Sequence, residues 1–206
     1  IKVGYGMKIL FLSKKTEWCE KAKNYILKNY DEVKIVQGDW GDKLPKDVVN
    51  WKGDLIISFL SPWIVPEKTL KNSELAINFH PGTPKYGGIG CYNFAIYNQE
   101  KIYGVLCHKM EKKVDSGEII KIRYFKMSLD ETVLNLKEKS MKNILKLFYE
   151  IIDLIIEGKK LGVSEEQWGK KPYTKKDFQE LCRISPNMSE KEILKRIRAT
   201  YYPGGP

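Results

Sequence analysis

The chain has 206 residues, a formal net charge of +10, 42% hydrophobic and 30% charged residues. That length supports one domain with a real core, and the balance excludes a disordered or collagen-like chain. Two histidines and four widely spaced cysteines, with no C-x-x-C, exclude a zinc-finger framework and point to reduced thiols, no bound metal and a cytoplasmic setting. The 36 basic residues are mostly lysine and are interleaved with acids, which leaves two readings: a solvated lysine-rich surface, or a basic face for nucleic acid or small anions. No apolar run approaches the ~18 residues that span a bilayer, because Phe148 to Ile155 is broken by Glu150 and Asp153. Neither a signal peptide nor a membrane partner is expected. The residues before Met7 read as an extension ahead of a natural start, and a short tail is expected beyond Gly204-Gly205-Pro206.

Met7 to Leu12 reads as a first strand, and Trp18, Ala22, Tyr25 and Ile26 follow at helical spacing with Lys and Glu between them. Val33 to Val36 reads as a second strand, Asp54 to Leu60 as a third buried on both faces, and Leu75 to His80 as a fourth. This rhythm predicts an α/β fold: an open, mostly parallel, Rossmann-like sheet flanked by helices. Tyr92 to Ile96 begins a helix after a glycine-rich loop. Tyr103 to His108 and Ile119 to Phe125 are two further strand-like runs around the polar turn Glu111 to Gly117. Strict alternation ends there, so the sheet is expected to become mixed. Ser128-Leu129-Asp130-Glu131 has capping-box spacing ahead of the stripe Ile144, Leu145, Phe148, Ile151, Ile152 and Ile155, which Gly158 ends. The same spacing at Ser189 and Glu192 precedes a short basic helix with Ile193, Leu194 and Ile197.

Asn78-Phe79-His80-Pro81-Gly82 closes the fourth strand. Side chains alternate along a strand, so Asn78 and His80 share one face, and Pro81 and Gly82 stop the ladder. The carboxyl edge of an open α/β sheet is where ligands bind. A third polar residue, Asp115, lies in Val114-Asp115-Ser116-Gly117, where glycine permits a tight turn. Taken singly, a strand-end histidine is more often a structural group and an Asp before Ser-Gly more often a turn residue.

Together with their flanks these residues form a specific pattern. Asn-x-His-Pro-Gly-x-Pro-x-Tyr-x-Gly from Asn78, then Tyr103-Gly104-Val105 with His108, then Asp115-x-Gly117-Glu-Ile-Ile, resembles the folate-dependent formyltransferases. That family includes methionyl-tRNA formyltransferases, glycinamide ribonucleotide transformylases and sugar-nucleotide formyltransferases. The resemblance covers roughly Met7 to Phe125 and is looser beyond. It implies a catalytic domain over residues 7–160, with residues 161–206 as a helical and loop extension packed on or completing it. It also implies 10-formyltetrahydrofolate as formyl donor and Asn78, His80 and Asp115 as catalytic residues. A primary amine attacking the formyl carbon creates an oxyanion; Asn78 has N–H donors for it, and Asp115 can orient His80 and favour its charged form. Whether His80 or Asp115 is the main base is left open. The loop Phe59, Ser61, Trp63 and Ile64 is implied to meet the folate, largely through backbone groups and with Trp63 as a cover for the ring, and Val114 and Gly117 are implied to join it. His108 is expected to face the core or rim as a strand residue.

The loop Gly82 to Gly90 departs from the family pattern: the Ser-Leu-Leu-Pro segment is missing, and Gly87 stands near the usual arginine. Lys85, Tyr86 and Gly88 are therefore the expected substrate contacts there, and the Walker spacing is absent. After the first strand, Phe11 to Thr16 lacks the glycine phosphate loop of the glycinamide ribonucleotide enzymes. No second barrel of the tRNA-enzyme kind is expected after Phe125. Lys171-Pro172-Tyr173-Thr174 and Ile197 to Gly205 resemble the end of the sugar enzymes, so Trp168, Tyr173, Arg198 and Tyr201 are candidates to frame a nucleotide sugar. The leading implication is transfer of a formyl group to a nucleotide-linked amino sugar, as in lipopolysaccharide or O-antigen biosynthesis. Formylation of methionyl-tRNA, a non-catalytic folate-binding module, and RNA binding by the helix Lys191 to Arg198 are the alternatives. A homodimer is compatible with the apolar helix.

Overall fold

The computed structural model describes residues 6–169 and 171–203; the first five residues and the Gly204-Gly205-Pro206 end lie outside the described residues. Six strands form one sheet in the order β2-β1-β3-β4-β5-β6. The strands are β1 (Ile9–Ser13), β2 (Val33–Gln37), β3 (Gly53–Phe59), β4 (Ser73–His80), β5 (Ile102–Lys109) and β6 (Ile119–Lys126). The first four are mutually parallel, β5 runs antiparallel to β4, and β6 antiparallel to β5. The mixed sheet expected after the alternation stops is what forms. β5 and β6 are joined by a turn too short for a crossover helix, so they can pair only antiparallel.

Seven helices accompany the strands among the described residues: α1 (Glu17–Asn29), α2 (Lys46–Val49), α3 (Glu67–Lys71), α4 (Cys91–Tyr97), α5 (Val133–Ile156), α6 (Lys175–Leu181) and α7 (Glu190–Thr200). Alternation along the strands splits the packing in two. Ile9, Phe11, Leu55, Ile57, Phe59, Ile77, Phe79, Val105 and Cys107 pack with α1 and α5. Leu10, Leu12 and Ile56 point to the other face, with Val48, Trp51 and Val65. Phe148 of α5 is the centre of the first face: its ring lies 5.1 Å from both Phe59 and Phe79 and 6.3 Å from Phe11. Leu181 and Ala199 of the extension join a third cluster with Tyr86, Phe94 and Leu136.

The start of α5 differs from the sequence expectation. Thr132 caps it, its Oγ1 accepting the Asn135 N–H at 3.1 Å. Ser128 and Glu131 close a turn one step earlier: Glu131 accepts the Ser128 N–H at 3.0 Å, but the Glu131 N–H goes to the Ser128 carbonyl. Glu131 is buried and takes Lys139 of the first helical turns as its partner, which the spacing alone did not distinguish from a box. The complete reciprocal box is at α6, between Thr174 and Asp177. Gly158, at φ 67°, ends α5 as expected. Among the described residues no helix is long and apolar enough to cross a membrane, and no group of three or more metal-ligating side chains occurs.

Candidate active site

β4 delivers Asn78 and His80 on the face opposite Phe79, where the sheet changes from parallel to antiparallel pairing. On β5, His108 sits directly across from Asn78, with Asn78 Nδ2 and His108 Nε2 3.0 Å apart. Asp115 comes from the turn between β5 and β6 and holds a left-handed φ of 50°, a conformation aspartate tolerates. Gly117 lets that turn fold back onto the strand, since a Cβ there would lie 2.1 Å from the Lys109 carbonyl oxygen.

The carboxylate lies between the two imidazoles. Asp115 Oδ2 is 3.6 Å from His80 Nδ1, and Oδ1 is 3.6 Å from His108 Nε2. Both separations are long for a hydrogen bond. The firm partner is the Gly88 N–H, which donates to Asp115 Oδ2 at 2.8 Å. His80 Nε2 is 3.1 Å from the Tyr86 carbonyl, which can only accept, so the proton sits on Nε2. The Nδ1 lone pair of a neutral His80 therefore faces the carboxylate. His80, His108 and Asp115 are all buried.

Burial pushes the His80 pKa below its ordinary value, more strongly than Asp115 raises it. Burial alone would raise the Asp115 carboxyl, but the neighbouring imidazoles and the Gly88 N–H outweigh it and bring it down to about 2. At neutral pH the pair is a carboxylate beside a neutral ring, poised to become an ion pair when a proton reaches Nδ1.

Trp168, from the extension, covers both rings edge-on. Its centroid is 4.9 Å from His108 and 5.7 Å from His80, and its Nε1 donates to the Gly117 carbonyl at 2.8 Å. The strap that carries it pairs with the glycine loop: Gly169 N–H donates to the Pro84 carbonyl, Tyr173 N–H to the Gly87 carbonyl, and Ile89 N–H to the Tyr173 carbonyl, each at 2.9 Å.

Several residues expected to touch ligands have other work. The Phe59 side chain is wholly buried against Phe79 and Phe148, on the face away from Asn78, so only its backbone is available. Tyr86 is also buried, its hydroxyl donating to Glu100 at 2.6 Å, and its contribution is the carbonyl that holds His80. Tyr173 stacks on Phe94 at 3.7 Å. Trp63 is pinned rather than free: its Nε1 donates to the Asp42 carbonyl at 2.8 Å and its ring lies over Gly38. Ser61 accepts the Trp63 N–H at 3.2 Å. Arg198 bonds the Leu129 and Glu131 carbonyls ahead of α5. Lys85 is exposed and paired with Glu100 at 2.5 Å, and Gly88 acts through its N–H. Ile64, Val114 and Tyr201 remain as exposed apolar side chains. His108 is the group that sequence reasoning left out of the constellation. Its signal was the strand parity it shares with Leu106, unreadable without the β4–β5 register.

A model of the formyl transferase family matches residues 21–152. The bifunctional polymyxin resistance protein ArnA of Wigglesworthia glossinidia brevipalpis is 32% identical over 155 residues, covering 74% of this chain and 22% of that protein. A methionyl-tRNA formyltransferase of Bacteroides fragilis is 28% identical over 155 residues, covering 72% of this chain and 47% of that protein. The chain thus spans less than half the length of these two relatives. Among solved structures, a 4-N formyltransferase from Francisella tularensis superimposes with a TM-score of 0.80 at 21% identity, covering 96% of this chain and 90% of that one. An N-formyltransferase from Helicobacter canadensis, in complex with folinic acid and dTDP-3-aminofucose, gives a TM-score of 0.77 at 22% identity, covering 96% and 82%.

Proposed function

The chain belongs to the formyl transferase family, and from that premise we propose that it transfers a formyl group from 10-formyltetrahydrofolate to the primary amine of a nucleotide-linked amino sugar, in the cytoplasm. The observation that carries this reading is the convergence of Asn78, His80 and Asp115: two neighbours on one strand face and a carboxylate brought within 3.6 Å of the imidazole from a distant turn.

Each group has a role that its geometry fits. As the amine attacks the formyl carbon, the carbonyl oxygen becomes an oxyanion, and an Asn78 amide N–H is the donor for it. The amine must lose a proton. Asp115, with its pKa near 2, is a poor acceptor, whereas His80 Nδ1 carries a lone pair beside that carboxylate. A proton taken up at Nδ1 creates an imidazolium that Asp115 stabilises. Collapse breaks the bond from the formyl carbon to the donor nitrogen, which leaves with the proton that His80 took from the amine. The exposed Ile64 and Val114 side chains fit the flat apolar face of a pterin, while Phe59 offers only backbone.

The sugar acceptor is supported by the whole-length likeness to two N-formyltransferase structures, one of them holding an amino-sugar nucleotide. The test is incubation of the purified protein with 10-formyltetrahydrofolate and a panel of dTDP-, UDP- and GDP-linked amino sugars, read by mass spectrometry. A formyl adduct on one or more of them is expected. Formylation of methionyl-tRNA alone would replace the acceptor, and formylation of nothing would leave a binding module.

A further inference from the structure

We propose that His108 is a positioning residue that fixes which end of the Asn78 carboxamide faces the reaction. Its rate arm rests on the formyl-transfer reading; its structural arm does not.

The pairing of β4 with β5 sets Asn78 and His108 directly opposite one another. His108 Nδ1 lies 2.7 Å from the Lys109 carbonyl oxygen. A carbonyl only accepts, so Nδ1 carries a proton. A neutral ring then has a lone pair and no hydrogen at Nε2, the atom 3.0 Å from Asn78 Nδ2. Only the NH2 end of a carboxamide can face a lone pair. The Asn78 amide therefore has one allowed polarity, with one N–H given to His108 and the other left for a developing oxyanion.

Without that acceptor the two ends of the amide are nearly the same size, so shape alone does not choose between them. The flipped amide would aim its own oxygen at the oxyanion and turn a stabilising contact into a repulsive one. The ring itself is held: His108 is 3% exposed, and Trp168 stands against it at 85°. The competing arrangement is an imidazolium, with Nε2–H directed at Asp115 Oδ1, now 3.6 Å away, and Asn78 turned oxygen-first.

With only two histidines in the chain, nitrogen-15 spectra of the full-length protein separate these states. The expected spectrum at pH 7 has His108 protonated at Nδ1 and bare at Nε2, with a coupling across the hydrogen bond to Asn78 Nδ2. A proton on Nε2 overturns the proposal. In the rate arm, His108→Leu is expected to lower kcat about 10- to 100-fold with KM within about twofold, because a misplaced donor is felt in the transition state. His108→Gln, whose Oε1 can accept the same N–H, is expected to recover most of the loss. Asn78→Ala/His108→Leu should be no slower than Asn78→Ala alone; additive losses would mean that His108 acts elsewhere. If His108→Leu does not fold, the glutamine variant and the spectrum decide. If the wild-type protein formylates no amine, the functional reading falls, and the spectrum still decides the tautomer.

Discussion

The backbone N–H of Gly88 donates to Asp115 Oδ2 at 2.8 Å, and this bond ties the glycine loop to the carboxylate beside His80. Gly88 sits at φ 85°, where an added Cβ would lie 2.2 Å from the Tyr173 carbonyl oxygen. Left-handed strain and a backbone clash act together there, so Gly88→Ala is expected to destabilise the fold by ~2 kcal/mol or more, a fall of about 4–8 °C in Tm. Formyl transfer should drop as Asp115 loses its N–H partner. Calorimetry with an unchanged Tm would show that the strap moves aside at no cost.

Asn78→Ala removes the proposed oxyanion donor without disturbing the buried Phe79 side of β4. The expected loss is about 100- to 1,000-fold in kcat with KM little changed. Steady-state kinetics showing a KM effect alone would assign Asn78 to ground-state binding.

The pH dependence follows from two depressed pKa values. Burial holds His80 below its ordinary 6.5, so the neutral, proton-accepting ring persists into mildly acidic solution. The acid limb of kcat/KM is expected below pH 6.5. Asp115 pulls the other way, raising the His80 value, so Asp115→Asn should lower the rate and move the limb still further down. Stability has the same sign. Both groups bind fewer protons folded than unfolded, so their contributions are present above the unfolded values and lost as pH falls. For Asp115 the loss runs from about 3.8 down to about 2, and Asp115→Asn should flatten that stretch of an acid-unfolding curve. A limb that Asp115→Asn moves upward would contradict this assignment.

The parallel half of the sheet was legible because buried strands read as apolar runs, and the Asn78–His80 pair because strand parity is local. With the β3–β4 register known, parity also places the Phe59 side chain. Phe79 alternates with Asn78 and His80, and Phe59 is the register partner of Phe79, so Phe59 had to face the core with it. Tyr86 and Tyr173 were expected at the substrate because an aromatic beside a ligand motif looks like a ligand contact; both side chains pack in a cluster that forms only when α4 and the extension come together. The contact of His108 with Asn78 and the cover Trp168 gives both imidazoles depend on contacts far apart in sequence, one through an antiparallel register and the other through a strap that returns across the sheet.

Phe148 gathers the aromatic side of the core, touching the rings of Phe11, Phe59 and Phe79 from α5. Phe148→Ala leaves a cavity that strands already locked in register cannot collapse to fill. A loss of ~3–5 kcal/mol is expected. Denaturant titration should show a lower midpoint with an unchanged slope; a shallower slope would mean that the core loosens as a whole.

Trp168 offers a test with the opposite sign to Asp115→Asn. Its ring stands against His80 at 5.7 Å and contributes to the burial that depresses that imidazole. Trp168→Ala admits water to the ring, so the His80 pKa should rise toward 6.5 and the acid limb of kcat/KM should move up with it. Trp168→Phe keeps an aromatic cover but loses the bond from Nε1 to the Gly117 carbonyl, so it should hold the limb near the wild-type position while loosening the Asp115 turn. Proton spectra of the two histidines read the shift directly. If Trp168→Ala leaves the His80 titration where it was, β4 and the Tyr86 loop alone keep the ring dry, and the strap's role is to brace Gly117.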